Sequence, residues 1–272
     1  MAMPTLLELA DSGAHFGHHR SLIYPKARKF IYTVQQNVAI INLEETQKSL
    51  EQAQNVLHKY LNENKVVLFV GTKRAVRETI KEVAESVNSP YIVERWFGGT
   101  LTNFQTIISS IKRMKDLEDY LNSDKAAKLS KKDRLKNQAK LDHYHRFLGG
   151  LINLKQMPDL IVLASASDDK IAIAEANQLN IPIIAITDTD MNPDKIAYPI
   201  PANDDAAKAM NLILRALVEK PADKEKTKNQ KLKTEVAEEA ATEAKPVKKA
   251  AKKAEAASKT KSSDELKKGD KK

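Results

Sequence analysis

Four stretches of this chain have residue types and spacings that chemistry uses. The first is His15-Phe16-Gly17-His18-His19-Arg20, whose imidazoles suggest metal ligation or an acid–base pair. His15 and His18 lack the glutamate and spacing of a zinc-protease helix, and no Gly-x-Ser-x-Gly elbow is present to anchor a serine hydrolase. The second is Gly71-Thr72-Lys73-Arg74, placed where an apolar run turns into a helical pattern, the position that binds phosphates through backbone N–H groups. A Walker loop needs two flanking glycines ahead of Lys-Ser/Thr. Here there is one, and no Gly-x-Gly-x-x-Gly occurs anywhere. A nucleotide-binding α/β enzyme using Gly71, Thr72 and Lys73 is therefore the weaker reading, and contact of Lys73, Arg74 and Arg77 with an RNA backbone the stronger. The third is acidic: Asp188 and Asp190 follow one apolar run, Asp204 and Asp205 the next. Parallel strands deliver their following loops to one edge, so these acids could converge. With His18 or His19 over that edge, His18, Asp188, Asp204 and Asp205 would suit zinc or magnesium. Alternatively, Asp188 is a turn acid and Asp204 the cap of the last helix.

The fourth stretch is Arg95-Trp96-Phe97-Gly98-Gly99-Thr100-Leu101-Thr102-Asn103, which holds the only tryptophan beside one of two Gly-Gly pairs. It offers no titratable pair for proton transfer. Arginine beside aromatics, with Gly98 and Gly99 allowing close approach and Thr100, Thr102 and Asn103 as donors, suits a grip on RNA phosphates and bases. Equally, Trp96 and Phe97 could plug the base of the helices that follow, with the glycines making the turn.

The elements that must position these residues alternate in type. Apolar runs at 65–70, 90–93, 159–164, 181–186 and 197–200 are separated by helical patterns, including 169–179 and 203–219. Continuous apolar strands between helices predict an α/β fold, a doubly wound parallel sheet buried on both faces. Upstream, residues 29–41 read as a hairpin around Gln35-Gln36-Asn37, followed by a helix over 43–61. Phe104, Ile107, Ile111, Met114 and Leu121 form a narrow stripe on a long helix. Past a polar break at 122–129, Ser130 and Asp133 read as a capping box for a second helix striped by Leu135, Leu141, Tyr144 and Leu148. Such a pair predicts an inserted antiparallel coiled-coil hairpin. The expected organisation is an α/β domain over 1–103 and 150–220 with an N-terminal extension, a protruding helical hairpin over 104–149, and a tail over 221–272.

Composition narrows the function classes. Cysteine is absent, which excludes disulfides and thiolate chemistry and fits a reducing cytoplasm. No run of about 18 apolar residues occurs, so no membrane span is expected, and the first residues lack the pattern of a signal peptide. The formal charge is +9, but 221–272 holds 16 lysines against 10 acids and so carries +6, leaving +3 for the rest. That tail has no aromatic residue and cannot bury enough apolar surface to offset chain entropy, so disorder is expected there.

Six motifs then occur in a telling order: His15-Phe16-Gly17-His18, Ile40-Ile41-Asn42-Leu43, Phe69-Val70-Gly71-Thr72-Lys73-Arg74, the run Arg95 to Asn103, the unit from Pro158 to Pro182, and Ile200-Pro201-Ala202-Asn203-Asp204-Asp205. Over residues 5–218 the chain closely resembles the bacterial small-subunit ribosomal protein S-two family. That resemblance implies a flavodoxin-like α/β/α domain with a protruding coiled-coil hairpin and no enzymatic activity. It further implies a ribosome-bound, cytoplasmic protein that joins small-subunit ribosomal RNA late in assembly, on the solvent side between head and body. The messenger-binding protein S-one would be anchored nearby, with S-three, S-five and S-eight as neighbours. On this reading Lys26, Arg28, Lys29, Lys73, Arg74, Arg95 and Arg113 neutralise phosphates. Trp96, Gly98, Gly99, Thr100, Thr102 and Asn103 complete the contact, and no cofactor is required, the zinc or magnesium raised above being an alternative reading of the acidic edge.

Overall fold

The computed structural model describes residues 3–123 and 130–219; the tail and most of the polar break predicted at 122–129 lie outside the described residues. Its main sheet has five parallel strands in the order β5-β4-β6-β7-β8. These are β4 (Val67–Val70), β5 (Tyr91–Ile92), β6 (Leu160–Leu163), β7 (Ile183–Thr187) and β8 (Tyr198–Pro201). Counted from the first core strand the order is 2-1-3-4-5, the flavodoxin-like winding.

Every residue of β4, β6 and β7 is buried because both faces are covered. The side chains alternate between two cores, as the two-residue strand period requires. Val67, Phe69, Leu160, Val162 and Ile184 face one core. There they meet Leu50, Ala53 and Leu57 of α2 (Leu43–Asn62), Ile80 and Val83 of α3 (Arg77–Ser86), and Met210 and Ile213 of α7 (Ala207–Val218). Leu68, Val70, Ile161, Leu163 and Ile183 face the other. That side is closed by Ala172, Ile173 and Ala176 of α6 (Lys170–Gln178) and by the bases of α4 (Phe104–Asn122) and α5 (Lys131–Leu148). The doubly wound α/β sheet expected from the apolar runs is present.

Three local features depart from the sequence reading. Gly71 is followed by a 3-10 turn over Arg74–Val76, and α3 begins only at Arg77. The segment Phe16–His19 forms β1, pairing with β3 (Val38–Ile41), which in turn pairs with β2 (Ile31–Gln35), so the expected hairpin becomes a three-stranded antiparallel sheet. The expected seam between α4 and α5 is also incomplete. Ile111, Met114, Leu141 and Leu148 are buried, but Leu135 is 63% exposed. Ser130 does cap α5, its hydroxyl accepting from Asp133 N at 3.2 Å.

β1 and the short helix α1 (Leu6–Asp11) before it are tied to the sheet's carboxyl edge. His18 N donates to Thr189 Oγ1 (2.9 Å), Tyr24 N to Thr189 O (2.8 Å) and Asn203 Nδ2 to Gly13 O (3.0 Å). A Cβ on Gly17 would lie 2.8 Å from the Thr189 side chain, so the approach is close enough to demand glycine.

Candidate nucleic-acid interface

Two clusters at the ends of the strands gather most of the singled-out residues. The first is the joint between β5 and α4. Glu94 receives Arg77 at 3.0 Å and Arg146 at 3.1 Å. The chain then turns inward at Trp96, which is only 6% exposed, and Gly99 adopts a φ of +92°, a left-handed conformation that favours glycine.

One carboxylate holds this joint together. Glu175 of α6 is 7% exposed and accepts from Trp96 Nε1 (3.1 Å) and Gly99 N (2.8 Å) on one oxygen. Its other oxygen accepts from Leu101 N (3.0 Å), Thr102 N (3.1 Å) and the Thr102 hydroxyl (3.2 Å). Burial works against the charge, but the Trp96 N–H and the three backbone N–H groups outweigh it and hold the carboxyl below the usual glutamate range. Thr100 is buried, its hydroxyl donating to Phe97 O at 2.6 Å.

The RNA-facing assignment within this run therefore needs correction. Trp96 and Thr100 are buried, and the Thr102 hydroxyl already has an acceptor, so none of the three stands ready to stack on a base or bond a phosphate. Arg95, Phe97, Gly98, Thr102 and Asn103 are the exposed members, Thr102 with its hydroxyl turned to Glu175. Phe97 packs edge-on against Phe147 at 5.5 Å between ring centroids.

The second cluster lies at the carboxyl edge, over β4, β6 and β8. Lys73 Nζ lies 3.2 Å from Asp204 Oδ1, 2.9 Å from Asp205 Oδ1 and 3.5 Å from Asp168 Oδ2. Burial opposes its charge, but the hydrogen bonds to Asp205 and Asp204 prevail and push the ammonium well above the ordinary lysine range. Asp204, 1% exposed, also accepts from the hydroxyls of Ser165 (2.7 Å) and Ser167 (2.6 Å). It is not the cap of α7, whose N-cap is Ala206 without a side-chain cap bond; Asn203 Oδ1 accepts from Asp205 N and Ala206 N in the turn before the helix.

These contacts bear on two of the chemical expectations. Gly71 serves helix–sheet packing, since a Cβ there would lie 2.6 Å from Ile80, and its N–H already donates to Ile92 O at 2.9 Å. Lys73 is committed to acids. The expected convergence of acids does occur, with His18 Nδ1 3.1 Å from Asp188 Oδ1 and His18 Nε2 3.9 Å from Asp205 Oδ2. The charge within it comes from Lys73, and among the described residues no group of three or more His, Cys, Asp or Glu is arranged around a metal position.

Asp169 sits just below this edge, 3% exposed, with Thr72 Oγ1 donating to Oδ1 at 3.0 Å and Oδ2 without a partner. Burial pushes its pKa up to about 6. A raised carboxyl means stability is fully present below the unfolded value near 3.8 and is lost as pH rises through about 6. Asp169→Asn should therefore match the parent at pH 4 and exceed it by up to about 3 kcal/mol at pH 7. Equal parent–variant differences in denaturant midpoint at the two pH values would refute this.

The seven cations expected to meet phosphates divide into two groups. Lys26 and Lys29 both pair with Asp194, at 2.6 and 3.5 Å, and Lys73 is held as above. Arg28, Arg74, Arg95 and Arg113 are exposed and make no ion pair among the described residues. Arg77, paired with Glu94, is not free either.

Comparison with known proteins gives the chain its relatives. A family model described as ribosomal protein S2 matches residues 9–223. A Helicobacter hepaticus protein named small ribosomal subunit protein uS2 is 42% identical over 217 residues, 80% of this chain and 82% of its own. Proteins of the same name from Helicobacter acinonychis (40% identical, 80% of this chain, 88% of its own) and Wolinella succinogenes (39%, 80% and 80%) are similar over the same length.

Proposed function

The chain belongs to the ribosomal protein S2 family, and from that premise we propose that it binds small-subunit ribosomal RNA chiefly through Arg28, Arg74, Arg95 and Arg113. It is a protein of the small ribosomal subunit, working ribosome-bound in the cytoplasm, and its role is structural rather than enzymatic. The observation that carries the RNA contact is the division of the cations: these four are exposed and without acid partners among the described residues. Arginine suits the task, because its planar fork matches two phosphate oxygens. Contacts to phosphates position a protein without reading sequence, which fits an architectural component.

Late joining of the subunit, placement between head and body, the neighbours S-three, S-five and S-eight, and support for S-one form the finer part of the same proposal. The ordered motifs that carry the family resemblance support it. Arg95 and Asn103 flank the loop that Glu175 fixes, so the joint presents them from a rigid base.

The test uses Arg74→Ala combined with Arg95→Ala. Each phosphate contact removed lowers the salt slope of binding by about 0.7–0.9, so the pair should flatten it by about 1.4–1.8 and reduce subunit occupancy at raised salt. Thermal stability should not move, since both side chains are exposed. Full occupancy of the variant at raised salt would overturn the assignment.

A further inference from the structure

A cleft of about 490 Å3 lies between α6 and the segment after β7, next to the acidic edge, with Asp190 close enough to His18, Asp188 and Asp204 to feel their charge. Its size falls within the roughly 300–1,000 Å3 of small-ligand sites. Ile173 and Met191 supply an apolar wall, and the exposed ring of Tyr24 stands at the mouth. Lys170 and Lys195 also line it, both exposed and without an ion pair among the described residues. The fourth element is Asp190, whose Oδ1 is buried and has no hydrogen-bond partner.

We propose that this cleft binds one unstacked guanosine nucleotide of the RNA, with Asp190 accepting from the base and Lys170 and Lys195 facing phosphate. The inference rests on the RNA-binding reading above and extends it to a position that reads a base. A buried acceptor without a partner is costly and is relieved by a donor. Guanine offers two adjacent donors, N1–H and the N2 amino group, which match a carboxylate's two oxygens. Adenine and cytosine offer one donor group beside an acceptor that would face the carboxylate, and uracil offers one N–H between two carbonyls. The apolar wall and Tyr24 provide the stacking that unpaired bases seek. The two lysines make the mouth cationic, which favours a phosphate and disfavours a free base. An acidic peptide is a poor match because Asp190 would repel it.

Titration of the isotopically labelled full chain, followed by amide chemical shifts of residues 189–196, tests this. GMP should bind at least about tenfold tighter than AMP or UMP, the discrimination a bidentate base contact supplies. Asp190→Asn should remove that preference while inorganic phosphate still shifts the amides near Lys195. Lys170→Ala with Lys195→Ala should weaken every nucleotide alike. A single-stranded pentanucleotide with a central guanosine should bind tighter than GMP, and tighter than the same strand with a central inosine. Equal binding of all nucleotides and phosphate would overturn the proposal, leaving a charged surface only. Tighter binding of free GDP than of the pentanucleotide would overturn RNA as the source. The parent's salt slope, changed by the Arg74 and Arg95 substitutions, tests the RNA reading separately, so failure of the cleft and failure of that reading are distinguishable.

Discussion

Glu175→Ala should lower stability by about 3–5 kcal/mol, since it strips five donors of one buried, charged acceptor. For a domain of this size each kcal/mol moves the melting temperature by roughly 2–4 °C, so a fall of the order of 10 °C is expected. Trp96 reports the event locally, because it is the only tryptophan and its Nε1 is one of the five donors. Its emission should shift to longer wavelength below the temperature at which helical circular dichroism is lost. Glu175→Gln keeps the volume but turns an amide NH2 towards groups that are themselves donors, so it should cost about half as much. The carboxyl of Glu175 is held below its ordinary value of 4.5, so its contribution is present at neutral pH and is lost as pH falls through that lowered range. The gap between parent and Glu175→Gln should accordingly narrow below pH 4.5. A Glu175→Ala chain that melts with the parent and keeps its tryptophan emission would show that the latch holds nothing. If the latch does hold the joint, the same variant should also lose subunit occupancy at temperatures where it is folded, since Arg95 and Asn103 would no longer be presented from a fixed loop.

Why Glu175 escapes a reading of the sequence is instructive. It lies three residues after Ala172 and one before Ala176, both buried, so it stands on the apolar stripe of α6. An acid on such a stripe signals a buried partner, but nothing in the spacing says that the partners are N–H groups 73 to 79 residues away. The core strands were legible because a parallel sheet covered on both faces needs continuous apolar runs, and such runs alternate with helical patterns along the chain. β1 was not, since Phe16-Gly17-His18-His19 has neither alternation nor a β-branched residue, and it pairs through an irregular register. The delayed start of α3 has a similar cause. Residues 72–80 are helical in period, and only the contact of Gly71 with Ile80 and Val76 reveals how tightly the turn must pack first. Convergence of Asp188, Asp204 and Asp205 followed from parallel topology alone. That a lysine from the loop after β4 would sit among the acids did not, because Gly-Thr-Lys-Arg after a strand reads equally well as a surface for phosphate.

The two readings of Lys73 make opposite predictions, which gives the second large expected effect. As the counter-charge of Asp204, which is 1% exposed, the ammonium is part of the fold. Lys73→Met preserves most of the stem's packing and removes the charge, leaving a buried carboxylate whose remaining side-chain donors are the Ser165 and Ser167 hydroxyls. Removing one member of a buried pair costs about 3–5 kcal/mol, and this should appear as a lower denaturant midpoint with an unchanged slope. Adding Asp204→Asn should recover most of the loss, because the double variant no longer buries a charge and Asn can still accept from a serine hydroxyl. Lys73→Arg should not substitute well, since three carboxylates and the Asp204 carbonyl surround a compact ammonium rather than a planar fork. A phosphate-contact role predicts the reverse: a parental melting temperature, a salt slope lower by about 0.7–0.9, and no rescue by Asp204→Asn. Because the acids hold the ammonium within 3.5 Å on three sides, RNA would have to displace them to reach it, and the stability result should decide against phosphate contact at this position.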